Sequence, residues 1–147
     1  MIADFWEKAR VAAGPGAGPG LEVPPAWAFG AGKEMADALA SLVVAGRKTA
    51  TSSLYAHYLA EGEPIPEAGQ LHIILDGSGK PVALIRIIAV ELVAFRAITP
   101  EQAAAEGEGD LSLEYWRSAH QEFWGQVAED ALVVYERFEV VYAPGTA

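Results

Sequence analysis

The chain has 147 residues, 52% hydrophobic and 20% charged, which excludes a disordered chain and fits one folded domain. It contains no cysteine, which excludes a disulfide framework, a thiolate zinc site and a cysteine nucleophile. The net charge is −10, and residues 91–147 hold eleven acidic residues against three basic ones. A broad basic face for nucleic acid is therefore excluded, and any such role must rest on one local cationic pocket.

No apolar run approaches the ~18 residues of a membrane span. The start, Met1-Ile2-Ala3-Asp4-Phe5-Trp6-Glu7, lacks a basic-then-apolar signal pattern. The expectation is a soluble cytoplasmic protein with no membrane partner. Asp4 is placed to cap a short helix over Phe5–Val11, with Phe5 and Trp6 on its apolar side. The run Gly14-Pro15-Gly16-Ala17-Gly18-Pro19-Gly20 interrupts regular structure. Residues 1–20 thus read as an N-terminal helix and loop, and 21–147 as the main domain.

A helix is predicted over 31–45, with Met35, Leu39, Leu42 and Val43 on one face and Gly46 at its C-terminal cap. A loop follows, then a short helix from Ser52 or Ser53 through Leu59. Gln70–Leu75 reads as a strand and Asp76-Gly77-Ser78-Gly79 as a hairpin turn. Pro81–Phe95 is long for one strand and is expected to bend or bulge near Ala89. Pro100–Ala105 and Ser112–Val127 read as helices, and Ala131–Tyr142 as a closing strand. The fold class is α+β, a small β-barrel or curved sheet with flanking helices.

Several familiar motifs fail. In Gly30-Ala31-Gly32-Lys33 the position five before Gly32 is Trp27, and Glu34 follows the lysine, so it is not a phosphate loop. His57, His72 and His120 lack metal-ligand spacing, and no metal or cofactor is expected. Glu106, Glu108 and Asp110 offer oxygens to a hard cation, but not at calcium-loop spacing. The simpler reading is a solvated loop with Asp110 or Ser112 capping the next helix.

The densest functional stretch is Gly46-Arg47-Lys48-Thr49-Ala50-Thr51-Ser52-Ser53-Leu54-Tyr55, with two cations and four hydroxyls. Such a loop attracts phosphate, or it is a polar turn whose hydroxyls cap a helix. Trp27, Tyr55 and Trp116 are candidates to stack a base; Tyr58, Phe123 and Trp124 read as core. Arg117 and His120 share a helix face and either line a cleft or are half-buried and satisfied. Glu91 lies in an apolar strand, where an isolated carboxylate is costly to bury unless it faces water.

Trp27-Ala28-Phe29-Gly30, Gly46-Arg47-Lys48-Thr49-Ala50-Thr51 and the block from Glu106 through Asp110, Ser112, Trp116, Arg117 and His120 to Phe123 resemble, in order, a bacterial branch of the ASCH family. These are small PUA-like β-barrel domains associated with RNA. The likeness covers roughly residues 26–142. The family's broader motif is Gly-x-Lys-x-x-Glu-x-Arg; here Thr51 and Ser53 replace its Glu and Arg, which favours a compact pocket lined with hydroxyls.

The resemblance implies a cleft beside the barrel and a partner that is RNA, a nucleotide or a nucleoside. It also implies hydrolysis, either of single-stranded RNA or of the amide of acetylated cytidine; the rival is a non-catalytic RNA-binding or small-molecule-binding module. By position, the catalytic set of the amidohydrolase members carries over to Lys48, Thr51 and Glu91. Lys48 in apolar walls would act as a base and Thr51 as the activated hydroxyl, while Glu91 would orient the lysine or protonate the leaving amine. Arg47, Thr49, Ser52, Ser53, Tyr55, Trp27, Arg117 and His120 are the expected binding residues.

Overall fold

The computed structural model describes residues 2–14, 22–30 and 32–144. The glycine- and proline-rich run expected as a loop lies, apart from Gly14, outside the described residues. In chain order the elements are α1 (Ile2–Ala13), β1 (Ala26–Ala28), α2 (Lys33–Val44), β2 (Ala50–Leu54), α3 (Tyr55–Glu61), β3 (Leu71–Leu75), β4 (Pro81–Ala94), α4 (Pro100–Ala105), α5 (Leu113–Trp124) and β5 (Leu132–Tyr142). A 3₁₀ turn over Phe95–Ala97 follows β4.

The five strands form one curled sheet, a half-barrel, in the order β1-β3-β4-β5-β2. Only the β1–β3 pair is parallel. The α+β reading with a curved sheet and flanking helices holds. The β4–β5 register shifts between Ile87 and Ala89, where the long strand was expected to bulge.

Strand alternation divides the core. On one face Phe29, Ile74, Ile85, Ile87 and Phe138 pack with α2 through Ala40 and Val43. Val43 and Leu39 of the expected stripe make this contact together with Ala40, whereas Met35 is exposed. On the other face α1 lays Phe5, Trp6 and Ala9 against Ile73 and Leu84. Beyond them, Ala50, Phe95, Val133 and Tyr135 pack with Trp116 of α5.

Two elements differ from the sequence reading. Residues 50–54 form a strand, pairing with β5 from Ala50↔Arg137 to Leu54↔Val133, and the helix begins only at Tyr55. β5 offers an open edge, and backbone pairing there outweighs the capping tendency of Ser52 and Ser53. β1, three residues long, is too short to carry a periodic signal.

Candidate functional site

The Gly46–Lys48 loop is built by the end of α2. Gly46 adopts φ +78°. Its N–H donates to the Val43 carbonyl, and the Arg47 N–H donates to that of Leu42. This double bond pattern needs a left-handed residue, which only glycine adopts without strain. The chain then turns inward, so Lys48 is 1% exposed while Arg47 stays outside.

Lys48 lies over the Phe29 ring, its Nζ 5.3 Å from the centroid, and it also meets carboxylates that the sequence reading did not supply. Its Nζ donates to Glu108 Oε2 at 2.9 Å and to the Glu106 carbonyl at 3.3 Å, and lies 3.5 Å from Glu106 Oε1. Glu106 is equally buried and also accepts from Ser52 Oγ at 2.5 Å and Trp116 Nε1 at 2.6 Å. Thr49 ties the loops together through backbone and hydroxyl donation to the Ala105 carbonyl. Gly107, at φ +74°, lies against the Arg47 carbonyl, so close that a Cβ would collide with it. Two carboxylates hold the Lys48 side chain in place and tie its loop to the Glu106 segment. The expected environment of Lys48, and the solvated loop around Glu106, are both corrected by this network.

Adjacent strand residues point to opposite faces. The Ser52 hydroxyl faces Glu106 and those of Thr51 and Ser53 the other way, and all three residues border a cleft of about 1190 Å³. The two edge strands bound it, with Trp27 from β1 and Thr51 and Ser53 from β2. Phe29, His72 of β3, His57 and Tyr58 of α3, Phe123 and Trp124 of α5, and Glu136 of β5 complete its walls.

Glu136 stands directly across from Thr51 and is 3% exposed. Among the described residues, its Oε1 is the one buried side-chain nitrogen or oxygen without a hydrogen-bond partner. Burial pushes its carboxyl up to about 7. On β3, burial lowers the pKa of His72. Trp27 Nε1, a donor only, reaches His72 Nδ1 at 2.8 Å, so Nδ1 accepts and the His72 proton sits on Nε2, facing Gln70 Oε1 at 3.4 Å. Tyr58, bonded to Ser53, is also raised, chiefly by burial.

Among the described residues lining the cleft none is lysine or arginine, whereas Glu22, Glu61, Glu63 and Glu136 all contribute carboxyls. The cationic pocket expected from the sequence is thus not this cleft. Of the predicted site residues, Trp27, Thr51, Ser52 and Ser53 line it; Lys48, Arg47, Thr49, Glu91, Tyr55, Arg117 and His120 do not.

The others have different surroundings. Glu91 is exposed on β4 and separated from Ser52 by buried Tyr135, which pairs with both across the sheet. Tyr55 lines a smaller apolar pocket with Leu54 and Leu132. Arg117 binds both Glu129 oxygens (2.7 and 2.8 Å for its NH2) and covers the Phe95 ring. His120 stacks on Trp116 and donates from Nδ1 to the Trp116 carbonyl at 2.7 Å. Trp116 is core. Ser112, one of the two expected caps, caps α5 by accepting from the Tyr115 N–H, and Asp110 accepts from the Ser112 N–H just before the helix.

Sequence reasoning missed Glu136, His72 and His57, and assigned Tyr58, Phe123 and Trp124 to the core. For Glu136 a signal existed. In Val134-Tyr135-Glu136-Arg137-Phe138 it alternates with Val134 and Phe138, both buried, and so falls on an apolar face.

A family model described as the ASCH domain matches residues 25–142. The crystal structure of an ASCH domain from Lactobacillus crispatus superposes with a TM-score of 0.87 at 32% identity, covering 95% of this chain and 93% of that one. An Enterococcus faecalis protein of known structure gives 0.84 at 36% identity, covering 95% and 86%. No curated protein matches the chain.

Proposed function

The chain belongs to the ASCH domain family, a PUA-like fold associated with RNA binding, and we propose that its cleft takes a single nucleobase, either in a nucleoside or as an unpaired base of RNA. The observation that carries this is Glu136, a buried carboxyl with an unpartnered oxygen beside aromatic walls. A base has both the flat apolar faces that Trp27 and Tyr58 can stack on and the polar edge that a buried carboxyl needs. Among the described residues the lining has four carboxyls and neither lysine nor arginine, which opposes phosphate. The ligand's phosphates, if it has any, stay outside the cleft. Lys48 acts here as a positioning residue, holding the loop that leads into β2.

A second reading is favoured by the pairing of Thr51 with Glu136, both of which line the cleft. Amide hydrolysis on the bound base would use Glu136 to take the Thr51 hydroxyl proton. Thr51 Oγ would attack the amide carbonyl, Glu136 would pass that proton to the amine as the C–N bond breaks, and water would hydrolyse the resulting ester, releasing the acid and restoring the Thr51 hydroxyl. The set Lys48, Thr51 and Glu91 implied by the resemblance needs Lys48 released from its carboxylates and Glu91 brought around Tyr135.

The test is calorimetric titration with the four common nucleosides and their 5′-monophosphates. At least one nucleoside is expected to bind, its monophosphate about tenfold or more weaker, and Glu136→Ala to weaken binding about tenfold or more. Tighter binding of monophosphates, dependent on Arg47, would relocate the site to the Gly46–Lys48 loop. Incubation with acetylated cytidine and a short single-stranded RNA, followed by mass spectrometry, separates binding from turnover. Loss of the acetyl group that disappears in Thr51→Ala would establish the hydrolytic reading.

A further inference from the structure

We infer that the proton on Glu136 sets which base the cleft accepts: protonated, the carboxyl pairs with a base edge offering one acceptor beside one donor, as in cytosine or adenine; ionised, it pairs with the two adjacent N–H donors of guanine. The inference rests on the base-binding reading above and gives it a substrate class.

The geometry supplies the argument. Glu136 lines the cleft, and its Oε1 is buried there without a hydrogen-bond partner. Its cross-strand neighbours, Thr51 on β2 and Val90 on β4, carry no charge. α3 contributes His57, Tyr58 and Glu61 to the cleft, and β3 contributes His72. The segments around residues 22 and 63 add Glu22 and Glu63, while α5 adds Phe123 and Trp124. None of these is a lysine or arginine that would hold Glu136 as an anion. Lys48 is bound to Glu106 and Glu108, and Arg137 is exposed on the opposite side of β5.

An isolated buried carboxyl keeps its proton more readily than one in water, and this one changes state at about 7. With the proton it has one O–H donor and one acceptor; without it, acceptors only. Cytosine and adenine present a ring nitrogen acceptor beside an amino donor, which needs the protonated form. Guanine presents two adjacent donors, which suit the carboxylate. The wrong state leaves a buried group unpaired, which is how a site discriminates strongly between similar ligands.

The experiment is calorimetry of the full chain with cytidine, adenosine and guanosine between pH 5.5 and 8.5, alongside Glu136→Gln. If each ligand binds one state only, affinity for cytidine and adenosine falls about 30-fold across that range, and affinity for guanosine rises by about as much. Glutamine mimics the protonated acid, so Glu136→Gln should retain cytidine or adenosine, lose guanosine, and show no pH dependence. Binding that is flat with pH in the unsubstituted protein, or a slope that survives in Glu136→Gln, overturns this inference and leaves the base cleft standing. Failure of every nucleoside at every pH overturns the base cleft and this inference with it. The melting temperature of Glu136→Gln, measured in parallel, confirms that the variant is folded.

Discussion

Glu106 and Glu136 are buried almost equally, at 1% and 3% exposure, on opposite sides of β2. Around Glu106 are Ser52, Trp116 and Lys48. Around Glu136 are cleft walls, and one of its oxygens has no partner. Burial alone therefore says little about role. A carboxylate bonded to groups of the scaffold has been built into it, and one left unsatisfied beside a cleft is available to a ligand.

The largest expected effect is on the satisfied side. Lys48→Ala removes the ammonium beside buried Glu106 and leaves it Ser52, Trp116 and His120, 3.7 Å away; breaking a buried pair this way typically destabilises by about 3–5 kcal/mol. Urea denaturation measures this. A loss below about 1 kcal/mol would mean that the Lys48 network is not scaffold, and the contrast between the two glutamates would collapse.

On the other side, Glu136→Gln should stabilise. The folded-state value of about 7 lies above the ordinary 4.5, so the native protein binds more protons than the unfolded chain between those values. Stability contributed by this group is therefore intact below pH 4.5, declines as pH rises, and is lost above pH 7. The gain from Glu136→Gln should be near zero at pH 4.5 and reach at most about 3 kcal/mol above pH 7. Paired melting curves at acid and alkaline pH check the sign. A gain that grew towards acid would show that Glu136 is held as an anion.

Smaller effects sharpen the boundary between the regions. Gly107→Ala adds a methyl that collides with the Arg47 carbonyl at a positive φ, and should cost about 1–3 kcal/mol by prising apart the two loops. Arg117→Ala removes a partly exposed pair with Glu129 and the cover over Phe95, and should cost about 1 kcal/mol or less. Denaturation midpoints rank the two. A larger loss for Arg117→Ala would assign the structural centre to the α5 face.

Much of the fold was legible. The hairpin at Asp76–Gly79 and the irregularity at Ala89 follow from local chemistry, as do the caps at Gly46 and Ser112. The strand at 50–54 was not, because its pairing partner lies some eighty residues away and its serines and threonines read equally as caps. The site was legible in part. The block Gly46-Arg47-Lys48-Thr49-Ala50-Thr51 marks the right segment, and alternation through Thr51 and Ser53 reaches the cleft. The partners of Lys48 come from an acidic loop 58 and 60 residues further on, a distance over which local pattern carries no information. Glu136 was visible as a carboxylate on an apolar strand face, the same argument that was applied to Glu91. The difference lies in sheet position. Glu136 has strands on both sides, β2 and β4, and the cleft over its face; Glu91 lies on the part of β4 beyond its ladder with β3, which ends at Arg86, and is exposed.

The most direct measurement is amide and indole chemical-shift mapping by NMR during titration with the nucleoside that binds best. The account predicts that the Trp27 indole N–H and the amides of Thr51, Ser53, His72 and Glu136 move together, while those of Lys48, Glu106 and Glu108 stay nearly still. Shifts centred on Lys48, Glu106 and Glu108, with Trp27 and Glu136 unmoved, would contradict it and return the site to the lysine loop.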